Sequence, residues 1–138
     1  MRESMIANRW LLLAVATAIG ALASYAILRS PKPDLPLHVA LPVHLSAAAT
    51  EGQKIFAANC QKCHGSNAAG SDQGPPLVHR IYEPHHHADI SFERAVEFGV
   101  KAHHWRFGDM PPVSGVSKDQ VALVVDYVRE LQRANGIQ

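Results

Sequence analysis

Two cysteines and a histidine form a short motif that constrains the fold of this chain more than any other feature. The motif reads Cys60-Gln61-Lys62-Cys63-His64, and the chain has no further cysteine. The two thiols lie three positions apart, so they cannot build a disulfide framework around a larger loop. The fold must therefore take its stability from something other than disulfide bonds.

Three kinds of site use a Cys-x-x-Cys pair, and the rest of the sequence discriminates between them. A thioredoxin-like redox pair belongs between a strand and a helix of a βαβ unit, but this chain has no strand-like alternation. Structural zinc usually takes four ligands, and no second Cys-x-x-Cys exists. Covalent attachment of haem c needs two thiols at this spacing and an adjacent imidazole. The motif therefore predicts one haem c per chain, bound through Cys60, Cys63 and His64.

The sequence after residue 49 has the signals of a small all-α domain, residues 50–138. Three residues that can cap helices precede apolar patterns of helical period: Thr50, Ser91 and Ser117. Thr50 is predicted to form a capping box with Gln53. The predicted helices end at Asn59, at Gly99 and at Asn135-Gly136. Glycines and prolines interrupt residues 65–90, so a loop is expected there.

An uncharged run without proline, residues 11–28, precedes this domain. Its eighteen residues would make a helix of about 27 Å, close to the thickness of a bilayer core and longer than a usual signal-peptide core. This predicts an N-terminal transmembrane anchor within residues 1–28. The alternative is a cleavable signal peptide, since Ala21-Leu22-Ala23 fits a cleavage site. Four prolines in residues 29–49 predict an extended tether.

Net charge and histidine content bound the partners. Thirteen Lys and Arg stand against twelve Asp and Glu, so the net charge of +1 gives no reason to expect a nucleic-acid partner. Nine histidines are unusual at this length, and His103 and His104 form one run. Another run, His85-His86-His87, is interpreted as a solvated loop, because three consecutive imidazoles cannot all face one ion without an irregular backbone. A copper or zinc site is the alternative.

Further residues of the domain match a known pattern. A glycine and an aromatic residue stand before the first cysteine, in Gly52-Gln53-Lys54-Ile55-Phe56, and the last predicted helix holds Val124 and Tyr127. Over residues 50–138 the chain resembles the class I c-type cytochromes. The resemblance implies a fold in which the N- and C-terminal helices cross at the glycine and the remaining elements wrap the haem. It also implies that the haem domain lies outside an energy-transducing membrane.

The resemblance also implies roles for two loops. In Gly74-Pro75-Pro76-Leu77, the carbonyl of Pro75 would accept the N–H of the proximal imidazole and Leu77 would pack on the haem ring. From the residues alone, the Pro-Pro pair is equally well a loop breaker.

In Gly108-Asp109-Met110-Pro111-Pro112, the Met110 thioether is the expected distal ligand. Met1 and Met5 precede the apolar run, whereas six histidines are competing ligands: His79, His85, His86, His87, His103 and His104. Trp105 and Arg106 could donate to haem propionates, or they could be a loop anchor beside a solvated arginine.

Ligation by both His64 and Met110 would leave no vacant position on iron for oxygen or peroxide. The sequence therefore predicts a single-electron carrier rather than an enzyme, acting between redox donor and acceptor proteins. It is expected in the cell inner membrane with its haem domain in the periplasm, or as a soluble periplasmic protein after cleavage near Ala23. The alternatives are a haem-based sensor or small peroxidase with an open distal site, and a copper-handling module that uses the histidine runs.

Overall fold

The computed structural model describes residues 12–13, 15–22, 24–25 and 35–138, and the chain divides into units Met1–Pro33 and Asp34–Gln138. The described residues of the first unit are helical. Among the described residues, no helix is both long enough and apolar enough to cross a membrane. Much of the predicted anchor, including residues 1–11 and 26–28, lies outside the described part of the chain.

Four α-helices form the second unit: α1, Ala47–Asn59; α2, Gln61–His64; α3, Asp89–Phe98; and α4, Lys118–Ala134. Two short 3-10 helices, Ser66–Ala68 and Arg80–Tyr82, lie between α2 and α3. Between residues 35 and 138 the β structure is limited to one isolated antiparallel bridge, which joins Val100 to Met110. The prediction of an all-α domain is confirmed.

Helix α1 begins three residues before the predicted start at Thr50, so that prediction is wrong. Ser46 is the N-cap, and its hydroxyl accepts a hydrogen bond from the Ala49 backbone N–H at 3.1 Å. The Thr50 hydroxyl instead donates to the Ser46 carbonyl at 2.8 Å. Three alanines follow Ser46, and alanine has the highest helix propensity, so the earlier serine starts the helix.

The second half of the predicted tether, residues 29–49, packs on the domain. The Leu37 N–H donates to the Ala69 carbonyl at 2.8 Å, and the Asn135 side chain bonds both backbone groups of Ala40 at 2.9 Å. Two apolar side chains of this stretch also pack against the core. Proline favours an extended backbone, but an extended segment can still dock on a surface. The first six residues of the predicted tether are not described.

Helix α3 also begins before its predicted cap, Ser91. Ala88 is the N-cap residue and makes no side-chain capping bond, while Asp89 supplies the acidic side chain of the first turn. A carboxylate there is favoured by the helix dipole, which accounts for the earlier start. The predicted end is confirmed: Gly99 has φ +74°, and a Cβ on it would lie 2.5 Å from the Met110 carbonyl oxygen.

The start of α4 is confirmed as a reciprocal capping box. The Gln120 N–H donates to the Ser117 hydroxyl at 3.3 Å, and the Ser117 N–H donates to the Gln120 side chain at 2.9 Å. One face of the helix is buried, as its three-and-four apolar spacing predicted. The helix ends at Ala134 with Asn135 as its C-cap, in agreement with the predicted stop at Asn135-Gly136.

Helices α1 and α4 cross at Gly52, and their contact forms the centre of the core. A Cβ on Gly52 would lie 1.9 Å from the Leu123 carbonyl oxygen, so only glycine permits this approach. Beside the crossing, the rings of Phe56 and Tyr127 have centroids 5.6 Å apart, and both side chains are buried. The predicted roles of glycine and tyrosine in this crossing are confirmed.

Candidate haem-binding site

The cysteine motif follows the core helix α1 directly. The Cys60 N–H donates to the Phe56 carbonyl at 2.8 Å, and the His64 N–H donates to the Cys60 carbonyl at 3.0 Å. Cys60, Cys63 and His64 therefore lie within about one helical turn. Both thiols are free; Cys60 is half-buried and Cys63 is exposed.

The thiol of Cys60 does not have the properties of a redox-active thiolate. Burial, and next the nearby Cys63, raise the pKa of Cys60 to about 11. Catalytic thiols of Cys-x-x-Cys oxidoreductases have lowered pKa values, because the thiolate is the attacking form. The environment of Cys60 thus disfavours the thioredoxin-like interpretation.

The imidazole of His64 is oriented by a hydrogen bond from its Nδ1 to the Pro75 carbonyl at 2.8 Å. A carbonyl can only accept, so Nδ1 carries a proton, and in the neutral imidazole Nε2 then keeps its lone pair. Burial lowers the pKa of His64, while the bond to Pro75 acts in the opposite direction. The imidazole is therefore held neutral, the state in which it can bind a metal ion.

The loop after α2 folds back on the motif and fixes Pro75 beside His64. The Gly70 N–H donates to the His64 carbonyl at 2.7 Å, and the Ser71 hydroxyl donates to the Cys63 carbonyl at 2.6 Å. A Cβ on Gly74 would lie 2.9 Å from the same Cys63 carbonyl, so a larger residue there would push the loop away. Leu77, the next predicted site residue, is 9% exposed and belongs to the hydrophobic core.

Met110 lies in the long connection between α3 and α4, and its backbone is fixed. It exchanges two backbone hydrogen bonds of 2.9 Å with Val100, two residues after the end of α3. The backbone of Gly99 lies close to the ring of Pro112, because a Cβ added to Gly99 would be 3.0 Å from that ring. The Met110 side chain is half-buried. The backbone on both sides of Met110 is thus held in place.

The indole of Trp105 has an unsatisfied polar atom. In the described part of the chain, its Nε1 is the one buried side-chain nitrogen or oxygen atom without a hydrogen-bond partner. Burial raises the pKa of the nearby Tyr82 hydroxyl, and the proximity of Trp105 opposes this with a smaller, lowering effect. The contact between the two side chains does not, however, satisfy hydrogen-bond geometry. A buried unpaired N–H is unfavourable by about 1–3 kcal/mol, so Nε1 is a donor that requires an acceptor.

The comparison with known protein families decides which of the three kinds of Cys-x-x-Cys site this chain has: a redox pair, a zinc site or a haem attachment site. The sequence model described as Cytochrome c matches residues 49–132, more than half of the chain. The chain belongs to the cytochrome c family. Searches of curated proteins and of solved structures gave no match. Membership shows that this cytochrome c carries covalently bound haem c with its iron and transfers electrons with redox partner proteins.

The residues of this cytochrome c fit that cofactor. Two free thiols and a neutral imidazole with an available Nε2 lie on one turn, as covalent attachment and iron ligation require. Trp105 adds an unpaired donor that suits a carboxylate.

One residue important to this region was missed in the sequence. Arg129 of α4 is buried, and its guanidinium donates to the carbonyls of Tyr82 and His87, both at 2.6 Å, and to Asp89 at 2.9 Å. It thereby ties the segment before α3 to α4. The available signal was a cation between apolar positions Val128 and Leu131 on the face that the helix buries.

Proposed function

We propose that this cytochrome c is a single-electron carrier in which His64 and Met110 are the two axial ligands of the haem iron. The observation that carries the proposal is the 2.8 Å hydrogen bond from His64 Nδ1 to the Pro75 carbonyl, which orients a neutral imidazole. Haem c supplies a one-electron ferrous–ferric couple when bound. The protein holds the imidazole in place, so little rearrangement accompanies a change of charge.

The distal ligand is Met110. It is the only methionine of residues 35–138, and its backbone is fixed through the bridge to Val100. A thioether favours ferrous iron more than an imidazole does, and therefore raises the reduction potential. With both axial positions filled by protein, substrates have no access to iron, so this cytochrome c acts as a carrier and not as an enzyme.

The test of this ligation is a pair of substitutions at Met110. Met110→Ala should leave one iron position open, so that cyanide and carbon monoxide bind rapidly. Met110→His should keep a six-coordinate low-spin haem but lower the potential, within the span of about 0.8 V that axial ligands cover. Stopped-flow ligand binding and potentiometry measure both effects.

Val113→Ala is the matched control, since Val113 is also half-buried in this connection and its backbone bonds Val96. It should leave ligand binding and potential as in the wild type. If Met110→Ala also changes neither, Met110 does not bind iron. The distal position would then be open or held by a histidine, and an open site would support the sensor or peroxidase alternative.

We further propose that the chain is anchored in the cell inner membrane through residues 11–28, with the haem domain in the periplasm. Support comes from the length of the apolar run and from its exposed apolar side chains, among them Leu12, Ile19 and Leu22. A helix that exposes apolar residues in this way is suited to lipid. Attachment beside an energy-transducing membrane would bring the haem within reach of membrane-bound donors and acceptors.

A further inference from the structure

Three histidines from two separate loops converge on the surface of the haem domain. The Nε2 atoms of His86 and His104 are 3.3 Å apart. Together with His87 they form a group in which one ring nitrogen from each residue lies within 4.8 Å of the others. His85, the first member of the same run, is not part of this group. We call His86, His87 and His104 the histidine cluster.

The spacing suits a tetrahedral metal ion. Zinc–imidazole bonds are about 2.0–2.1 Å long, so two nitrogens bound to one tetrahedral zinc ion lie about 3.3–3.4 Å apart. The pair His86–His104 already has this separation. The largest separation between ring nitrogens of the three residues is within 4.8 Å, and a movement of side chains alone can shorten it to the distance that one ion requires. Two of the three side chains, His86 and His104, are exposed. We propose that the histidine cluster binds one divalent transition-metal ion, Zn²⁺ or Cu²⁺, at a site separate from the haem.

The backbone that carries the first two histidines is fixed, unlike a freely solvated loop. The His87 N–H donates to the Glu83 carbonyl at 2.8 Å, and the buried Arg129 donates to the His87 carbonyl at 2.6 Å. The His87 ring donates through Nδ1 to the Ile81 carbonyl at 2.6 Å, which leaves Nε2 available. An outer hydrogen bond of this kind orients a metal-binding histidine and raises its basicity.

The third histidine comes from a loop that is closed at its base. The bridge between Val100 and Met110 brackets residues 101–109, and Asp109 accepts the Ala102 N–H at 3.0 Å within it. Only His86 and His87 of the run take part, and His104 supplies the third ligand, so the site does not need three consecutive imidazoles to face one ion.

The ligand set determines the class of ion. Imidazole nitrogens suit zinc and copper, whereas magnesium and calcium prefer oxygen ligands. Three histidines leave a fourth tetrahedral position for water, and the exposure of His86 and His104 gives an ion access from solvent. A bound ion would connect the segment before α3 with the loop that leads to Met110.

The experiment is calorimetric titration of the haem-loaded full chain in detergent with Zn²⁺ and, separately, with Cu²⁺. One equivalent of ion should bind. His86→Ala, His87→Ala and His104→Ala should each weaken binding by about tenfold or more, a change typical of altered metal sites. His85→Ala is the matched control from the same run and should bind as the wild type does. The arm with the tighter binding identifies the preferred ion.

Haem absorption recorded during the titration shows that each variant is folded and that the added ion does not act at the iron. Zinc should also slow hydrogen exchange in residues 101–109 of the wild type but not of His104→Ala. The proposal is overturned if no equivalent binds, if His85→Ala weakens binding as much as the other variants, or if none of the three cluster variants weakens it tenfold.

Discussion

The imidazole of His64 is both neutral and held in one orientation, as an axial ligand must be, because of its immediate neighbours. Burial lowers the pKa of its imidazole, and the Pro75 carbonyl accepts the Nδ1 proton. His64 could be predicted as a ligand from the sequence, because the haem-attachment motif has its histidine directly after the second cysteine, Cys63. The Pro75 contact was expected only from the family resemblance, because no local rule states where the carbonyl of a Pro-Pro loop will point.

Trp105 shows what a single sequence does not contain. Its identity suggested a donor, but whether a buried N–H has a partner depends on residues distant in the chain, here Tyr82. The absence of a satisfactory acceptor leads us to propose that Nε1 donates to a haem propionate. This proposal rests on the burial of one atom, which no sequence pattern indicates.

The prediction concerns Trp105→Phe, which keeps an aromatic ring but removes the N–H donor together with one ring of the indole. Loss of a hydrogen bond to a charged group should destabilise the haem-loaded protein by about 1.5–3 kcal/mol. The propionate would also be less well neutralised, which favours ferric iron and lowers the potential. Urea denaturation and potentiometry test both effects. Unchanged potential with equal or greater stability would show that Nε1 has no partner in the loaded protein.

At the scale of elements, helix existence was easier to predict than helix starts. Ser117 was predicted correctly because both halves of its capping box are local. Thr50 and Ser91 were wrong because other residues one turn or less upstream compete for the start. At Asp89 the carboxylate also contacts Arg129 of α4, a tertiary interaction that local propensity cannot reveal.

The crossing of α1 and α4 makes a direct prediction for Gly52→Ala. The new Cβ would lie 1.9 Å from a backbone oxygen of Leu123, which cannot rotate away as a side chain can. Overpacking should reduce the free energy of unfolding by about 1–3 kcal/mol or more. Denaturant unfolding of the haem-loaded protein measures this change.

Ala57→Ser is the control for the crossing, because it adds one atom at an exposed position of the same helix. Its effect should stay within about 0.5 kcal/mol. If Gly52→Ala were equally mild, the helices would not approach each other as closely as the structure has them.

At the scale of the whole molecule, the sequence predicted an apolar N-terminal part, a tether and a haem domain from residue 50, and the chain divides into units Met1–Pro33 and Asp34–Gln138. The segment that packs through Leu37 and Ala40 has a tether-like composition. Composition describes the chain's local stiffness, whereas docking depends on the surface that α4 and the loop at Ala69 present.

The anchor proposal predicts where the full chain is found. After cell fractionation and a high-salt wash, the haem protein should remain with the membranes, since about eighteen apolar residues suffice to cross a bilayer. Release by detergent but not by salt would support residues 11–28 as the anchor. Recovery of a soluble protein that begins near Ser24 would instead show cleavage after Ala21-Leu22-Ala23.

The central claim is that iron held by His64 and Met110 cycles between two oxidation states without opening a site for substrates. A spectroelectrochemical titration of the purified wild-type protein tests it most directly. The expected result is one reversible one-electron transition at high potential, with a low-spin spectrum and the weak far-red band of ferric methionine ligation. A low-potential transition without that band, or a high-spin ferric spectrum, would contradict the claim.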